Sequence, residues 1–153
     1  MKSYLILVLL IVSSIYPQKV DERKDLKKYF DEYGHEGCFV LYDLNKDTYT
    51  KYNSKRCSER FIPASTFKIF NSLVGLETGV IKDEFEVFKW DSVKRFYDKW
   101  NQDIDMVNAF KYSAVWYYQE LARRIGQEKM QKYISENHYG NEDISGGIDQ
   151  FWL

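Results

Sequence analysis

The apolar positions of this chain change period several times, and each change marks an element. Residues 4–12 form an unbroken apolar run behind Lys2, followed by Ser13 and Ser14. A positive residue, an apolar run and then small residues is the order of a secretory signal peptide, with Val12 and Ser14 placed for a cut after Ser14. The run is too short to span a bilayer as a helix. Residues 20–33 carry Leu26, Tyr29, Phe30 and Tyr33 at helical spacing among charges, which predicts an amphipathic helix broken by Gly34 and Gly37. Residues 38–42 and 48–52 are rich in β-branched and aromatic side chains and flank Asn45-Lys46, which predicts a hairpin. A lone hairpin is seldom stable, so it is expected to join a sheet whose other strands are not in this chain.

Behind Pro63 the period becomes helical. A helix beginning at Ser65 is predicted, with Phe67, Ile69, Phe70, Leu73, Val74 and Leu76 as its apolar face and Thr78-Gly79 as its stop. Residues 83–106 keep no sustained period and read as loop with short helices. Ser113 opens a second helical pattern through Val115, Tyr118, Ala122 and Ile125, capped by Gly126, and residues 127–134 form a shorter one. His138 to Asn141 is a turn, and Ser145-Gly146-Gly147 a flexible loop before Phe151-Trp152-Leu153.

Composition narrows the class. The 153 residues suit one domain, and the 18% aromatic content with only 2 prolines suits a packed fold over a disordered one. A net charge of -1 offers no electrostatic case for nucleic acid or an anionic membrane surface. Cys38 and Cys57 are the only cysteines; an exported protein permits a disulfide between them, and a pair of thiols fits the sequence equally well. With two histidines, His35 and His138, and no C-x-x-C, no metal site is expected.

The chemistry concentrates in Pro63-Ala64-Ser65-Thr66-Phe67-Lys68. Ser65 and Lys68 stand one helical turn apart, so their side chains can touch. A serine hydroxyl is a poor nucleophile until a base lies within hydrogen-bond reach, and a neutral lysine can be that base. On the tetrad alone, a surface lysine on an ordinary amphipathic helix is the favoured reading of the spacing.

With these elements in place, the chain resembles the class D (oxacillinase-type) serine β-lactamases. Pro63 to Lys68 looks like that family's nucleophile tetrad and flanks. Ser113-Ala114-Val115 looks like its S-x-V, and Tyr139-Gly140-Asn141 matches its Y-G-N. Phe88-Lys89-Trp90-Asp91, Trp100-Asn101, residues 119–126 and Gly146-Gly147-Ile148-Asp149 also look like family text, so the resemblance covers nearly everything after the signal. S-x-V alone has no weight, because Ser72-Leu73-Val74 fits it too; the order and spacing of the set carry the likeness.

The resemblance implies an α+β fold, a helix-flanked antiparallel sheet with a helical region. It divides the chain into an exported signal (1–14) and part of a penicillin-binding domain (15–153). It implies hydrolysis of β-lactam antibiotics, and hence antibiotic resistance, in the periplasm. Ser65 is then the nucleophile and Ser113 the proton shuttle. Lys68 is the base, as an N6-carboxylysine formed with CO₂; no other cofactor is implied. Phe67, Val115 and Trp152 wall the carbamate pocket, with the Trp152 indole N–H donating to the carbamate. Tyr139, Gly140 and Asn141 form an architectural turn.

The family's K-[TS]-G strand and the downstream arginine that holds the substrate carboxylate have no counterpart here. An N-terminal piece of the enzyme is expected, neither stably folded nor appreciably active by itself. A sensor or penicillin-binding domain that keeps its acyl group, and a non-catalytic remnant, are the alternatives. Nothing in the sequence fixes the oligomeric state.

Overall fold

The computed structural model describes residues 19–153, and the signal reading lies outside them. The chain divides into two units, one ending at Glu59 and one comprising Arg60–Leu153.

The first unit holds a three-stranded sheet. Strands β1 (Lys19–Glu22), β2 (Phe39–Asp43) and β3 (Thr48–Tyr52) lie in the order β1-β3-β2. β2 and β3 are the predicted hairpin, antiparallel with Leu41 opposite Thr50, and Tyr42 and Tyr49 form a cross-strand ring pair 4.7 Å apart. β1 corrects two expectations. The first residues of the predicted 20–33 helix are instead a strand parallel to β3, with Val20 opposite Tyr49, and the hairpin therefore finds a neighbour within this chain. Charges at Lys19, Asp21 and Glu22 suit a strand at the sheet edge, where they face water. The helical pattern survives only as a 3₁₀ turn followed by α1 (Lys27–Glu32), whose Phe30 stacks on Tyr52 at 5.0 Å. Helix α2 (Ser54–Cys57) follows β3 and is capped by Asn53.

The second unit is built on two helices, α3 (Phe67–Glu77) and α5 (Val115–Ile125). Between them, β4 (Val87–Phe88) pairs antiparallel with β5 (Ile104–Asp105), a two-residue ladder in the otherwise irregular segment expected there. Asp105 caps α4 (Met106–Lys111), accepting from the Asn108 backbone N–H at 2.8 Å. Helix α6 (Gln127–Glu136) follows α5 after Gly126.

The buried face of α3 is not the one its apolar residues predict. Phe67, Lys68, Asn71, Val74 and Gly75 are buried, while Ile69, Leu73 and Leu76 are exposed. The reason is the partner. A Cβ on Gly75 would sit 2.9 Å from Leu121 Cδ1, so a glycine there lets α3 and α5 approach closely. Asn71 Nδ2 donates to the Tyr118 carbonyl at 2.9 Å, and Ser72 Oγ contacts the Tyr118 hydroxyl at 3.2 Å. This stripe turns Lys68 inward. The core beside it is aromatic: Phe67 stacks on Trp152 (5.6 Å) and meets Phe151 edge-on (4.9 Å), and Phe88 stacks on Tyr117 (4.3 Å). Such pairs contribute about 0.5–1.5 kcal/mol each beyond area burial.

Candidate active site

The site follows from that packing. Ser65 lies in a 3₁₀ turn, Ala64–Thr66, immediately before α3, rather than opening the α-helix itself. Its side chain faces water while Lys68, one turn on, is only 2% exposed. Ser113 arrives from the other side, just before α5, with Val115 and not Ser113 as the first helical residue. Ala114 holds the N-cap position.

The three side chains form a closed triangle. Lys68 Nζ lies 2.7 Å from Ser65 Oγ and 3.0 Å from Ser113 Oγ, and the two hydroxyl oxygens are 3.1 Å apart. Lys68 has no ion pair with a carboxylate among the described residues, and burial lowers its pKa from the usual 10.5. The surface-lysine reading of the tetrad is therefore wrong. Above the ammonium, the Trp152 and Tyr118 ring centroids lie at 5.4 and 5.8 Å.

Two backbone outliers adjoin the hydroxyls. Ala64, next to Ser65, has φ +46°, and Ser113 has φ +51°. Neither is glycine, and such conformations cost about 1–3 kcal/mol unless the surroundings enforce them. At Ser113 the enforcing contacts are visible. Trp100 Nε1 donates to the Tyr112 carbonyl at 2.9 Å, and the backbone N–H groups of Ser113 and Ala114 donate to Phe110 and Ala109. Trp100, Asn71 and Tyr118 thus shape the site, and only their contacts in three dimensions reveal it.

The remaining expected residues fall as follows. Phe67 and Trp152 are fully buried, and Val115 is half-buried against the core. The Trp152 Nε1 donor is buried without a hydrogen-bond partner among the described residues, a situation that costs about 1–3 kcal/mol. Tyr139 packs on Phe70 and Phe67 at 4.6 and 5.7 Å, and Gly140 takes φ +62°, so this turn supports the core face of α3. A cavity of about 540 Å³ lies beside it, lined by Pro63, Asn141 and Phe151, and none of the reactive three lines it. The loop carrying Trp152 is pinned to α5: Arg123 Nη1 donates to Asp149 Oδ2 at 2.6 Å and Gln119 Nε2 to the Asp149 carbonyl at 3.2 Å. Cys38 and Cys57 are both thiols.

A nucleophile in hydrogen-bond contact with a buried, unpaired amine, backed by a second hydroxyl, is an acyl-transfer arrangement. The comparisons agree with that class. Residues 23–152 match the penicillin binding protein transpeptidase domain, and the chain belongs to that family. Within it, the likeness is to class D β-lactamases. The chain is 48% identical to β-lactamase OXA-48 of Klebsiella pneumoniae over 86% of its own length and 50% of that protein's. It superposes on a class D β-lactamase from Nostoc with a TM-score of 0.82 at 46% identity, covering 86% of this chain and 56% of that one. The C-terminal domain of the Bacillus licheniformis BlaR penicillin receptor gives a TM-score of 0.81 at 39% identity, over 90% of this chain and 55% of that one. The fold is thus the expected α+β, β-lactamase-like one, and the chain spans about half the length of the curated relatives it matches.

Proposed function

We propose that this chain carries the nucleophile and base of a serine β-lactamase of the class D type. The Ser65–Lys68–Ser113 triangle, with its amine buried and unpaired, is the observation that supports this reading. In the proposed reaction the Ser65 Oγ–H bond breaks and its proton passes to the base at Lys68. The Oγ–carbonyl carbon bond forms, the lactam C–N bond breaks, and the departing nitrogen takes a proton through Ser113. Water then hydrolyses the ester to free Ser65. The Ser65 backbone N–H is one donor to the oxyanion. β-Lactams are the substrates, resistance to them is the consequence, and export through residues 1–14 to the periplasm places the enzyme where they arrive.

A carboxylated Lys68 fits the residues present. Burial favours a neutral amine, which is the form that reacts with CO₂, and the unpartnered Trp152 Nε1 needs an acceptor beside that amine. When formed, the carbamate supplies a carboxylate-type base. Trp152 would hold it by donating from Nε1, with Phe67 as an apolar wall.

The test is to incubate the complete protein with benzylpenicillin, digest it and locate the adduct. Attachment at Ser65, abolished by Ser65→Ala, is expected; label on Ser113, or none, refutes the assignment. The likeness to the penicillin receptor supports a second reading, in which the acyl group stays. A Ser65 adduct that persists without released product selects it over hydrolysis.

A further inference from the structure

We propose that Cys38 and Cys57 are an oxidisable pair, and that their disulfide staples the start of β2 to α2. The oxidant is of the small-disulfide or thiol–disulfide oxidoreductase class. This inference does not depend on the enzymatic reading.

Cys57 Sγ lies 3.3 Å from the carbonyl oxygens of both Phe39 and Tyr52, which are register partners in the sheet, and burial together with the neighbouring Cys38 thiol pushes the Cys57 thiol pKa up. Cys57 therefore sits over the end of the β2–β3 ladder, at the residue that follows Cys38. Both cysteines are half-buried, sheltered yet open to a small reagent. Asn53 sets the approach from both sides. In a left-handed conformation (φ +56°), it donates from Nδ2 to the Gly37 carbonyl at 3.1 Å and accepts at Oδ1 from the Arg56 N–H at 3.4 Å. One side chain thus holds the residue before Cys38 and the helix that carries Cys57. Bonding requires the two sulfurs to reach about 2.0 Å, and the placement of Cys57 against the residue after Cys38 favours that approach.

The unit gives a reason for the cross-link. No described residue before Phe67 is buried, so the sheet lacks a hydrophobic core of its own. Small units of that kind gain most from a covalent tie that restricts the unfolded chain. Here the closed loop contains the whole β2–β3 hairpin. The chemistry balances by exchange with oxidised glutathione. One thiolate attacks the glutathione disulfide and expels one glutathione, and the second thiolate displaces the other. Two protein thiols and one glutathione disulfide become one protein disulfide and two glutathione thiols.

The full chain would be equilibrated across a series of oxidised-to-reduced glutathione ratios, quenched with acid, alkylated and mapped by mass spectrometry. A linked Cys38–Cys57 peptide pair, loss of two hydrogens and slowed amide exchange across residues 39–52 are expected. Two singly alkylated cysteines, two stable glutathione adducts or only intermolecular dimers would overturn the proposal. In denaturant the equilibrium constant against glutathione should fall at least tenfold; an unchanged constant would show that the fold does not bring the pair together. Asn53→Ala should lower the same constant several-fold in the native chain, and Cys38→Ser should leave Cys57 carrying a glutathione that the unsubstituted chain expels. An unaltered constant in the first, or an equal adduct in both chains of the second, counts against it.

Discussion

Every buried residue described lies at or beyond Phe67, and none lies in the unit ending at Glu59. The sheet unit is held by its backbone ladders, the Phe30–Tyr52 stack and exposed polar pairs such as Arg23–Asp25, Lys27–Asp31 and Ser54–Glu22. Exposed ion pairs such as these add little, because water and salt screen them. The helical unit closes an aromatic core around Phe67, Tyr117 and Trp152, and it alone holds Ser65, Lys68 and Ser113. Chemistry that depends on distances near 3 Å sits where side chains are locked by packing, while the sheet unit is left to other means of support.

Substitutions test that contrast directly. Phe67→Ala or Trp152→Ala should destabilise the helical unit by about 3–5 kcal/mol, whereas Leu41→Ala in the sheet should change stability by less than about 1 kcal/mol. Urea melts of the three variants measure this, and equal losses would mean the two units share one core. Next in size, Gly75→Val should cost about 1–3 kcal/mol by pushing α3 off Leu121. It should also reduce acylation of Ser65, since the same packing sets Lys68 against Ser113; a variant that melts earlier yet acylates normally would uncouple the site from the helix pair.

Lys68→Met should abolish acylation and raise the melting temperature at neutral pH by roughly 2–4 °C, because a charge no longer has to be buried. The sign follows from linkage. The folded-state pKa of Lys68 is lowered, so below it the buried charged form carries its full penalty, and the penalty fades as pH rises from that value towards 10.5. The gap between variant and parent should narrow across that window, and a constant gap from pH 7 to 10.5 would assign the change to packing.

The smallest effect should come from the Asp91–Arg95 pair. The Arg95 guanidinium, bonded at 2.6 and 2.8 Å, holds the Asp91 carboxyl down to about 2. This contribution is present above the ordinary carboxylate pKa and is lost as pH falls through the folded value. Asp91→Asn should therefore cost under about 1 kcal/mol at pH 7, with that cost shrinking as pH falls from the ordinary carboxylate range through about 2. Acid titration followed by circular dichroism compares the two.

Much of the site was readable one residue at a time. Ser65 and Lys68 meet because three residues on a helical turn put two side chains on one face, a relation their own backbone supplies. The hairpin, the run of α5 up to Gly126 and the turn at Gly140 depend likewise on neighbours within a few positions. Other features needed partners remote in sequence. Val20 joins a strand because Tyr49 is there to pair with it, although its local pattern favours a helix. The apolar side chains of α3 point outward because Gly75, Asn71 and Lys68 fit α5 more closely than Ile69 and Leu73 do. Ser113 holds its strained backbone because Trp100 grips the carbonyl before it, and the Trp152 indole lies above Lys68 because Arg123 and Gln119 pin Asp149. The sequence by itself determined which reactive groups exist and which local turns carry them. Only the tertiary structure decided which face was buried, since burial depends on the shape of the opposing surface, and it was burial that lowered the pKa of Lys68 from that of an ordinary lysine.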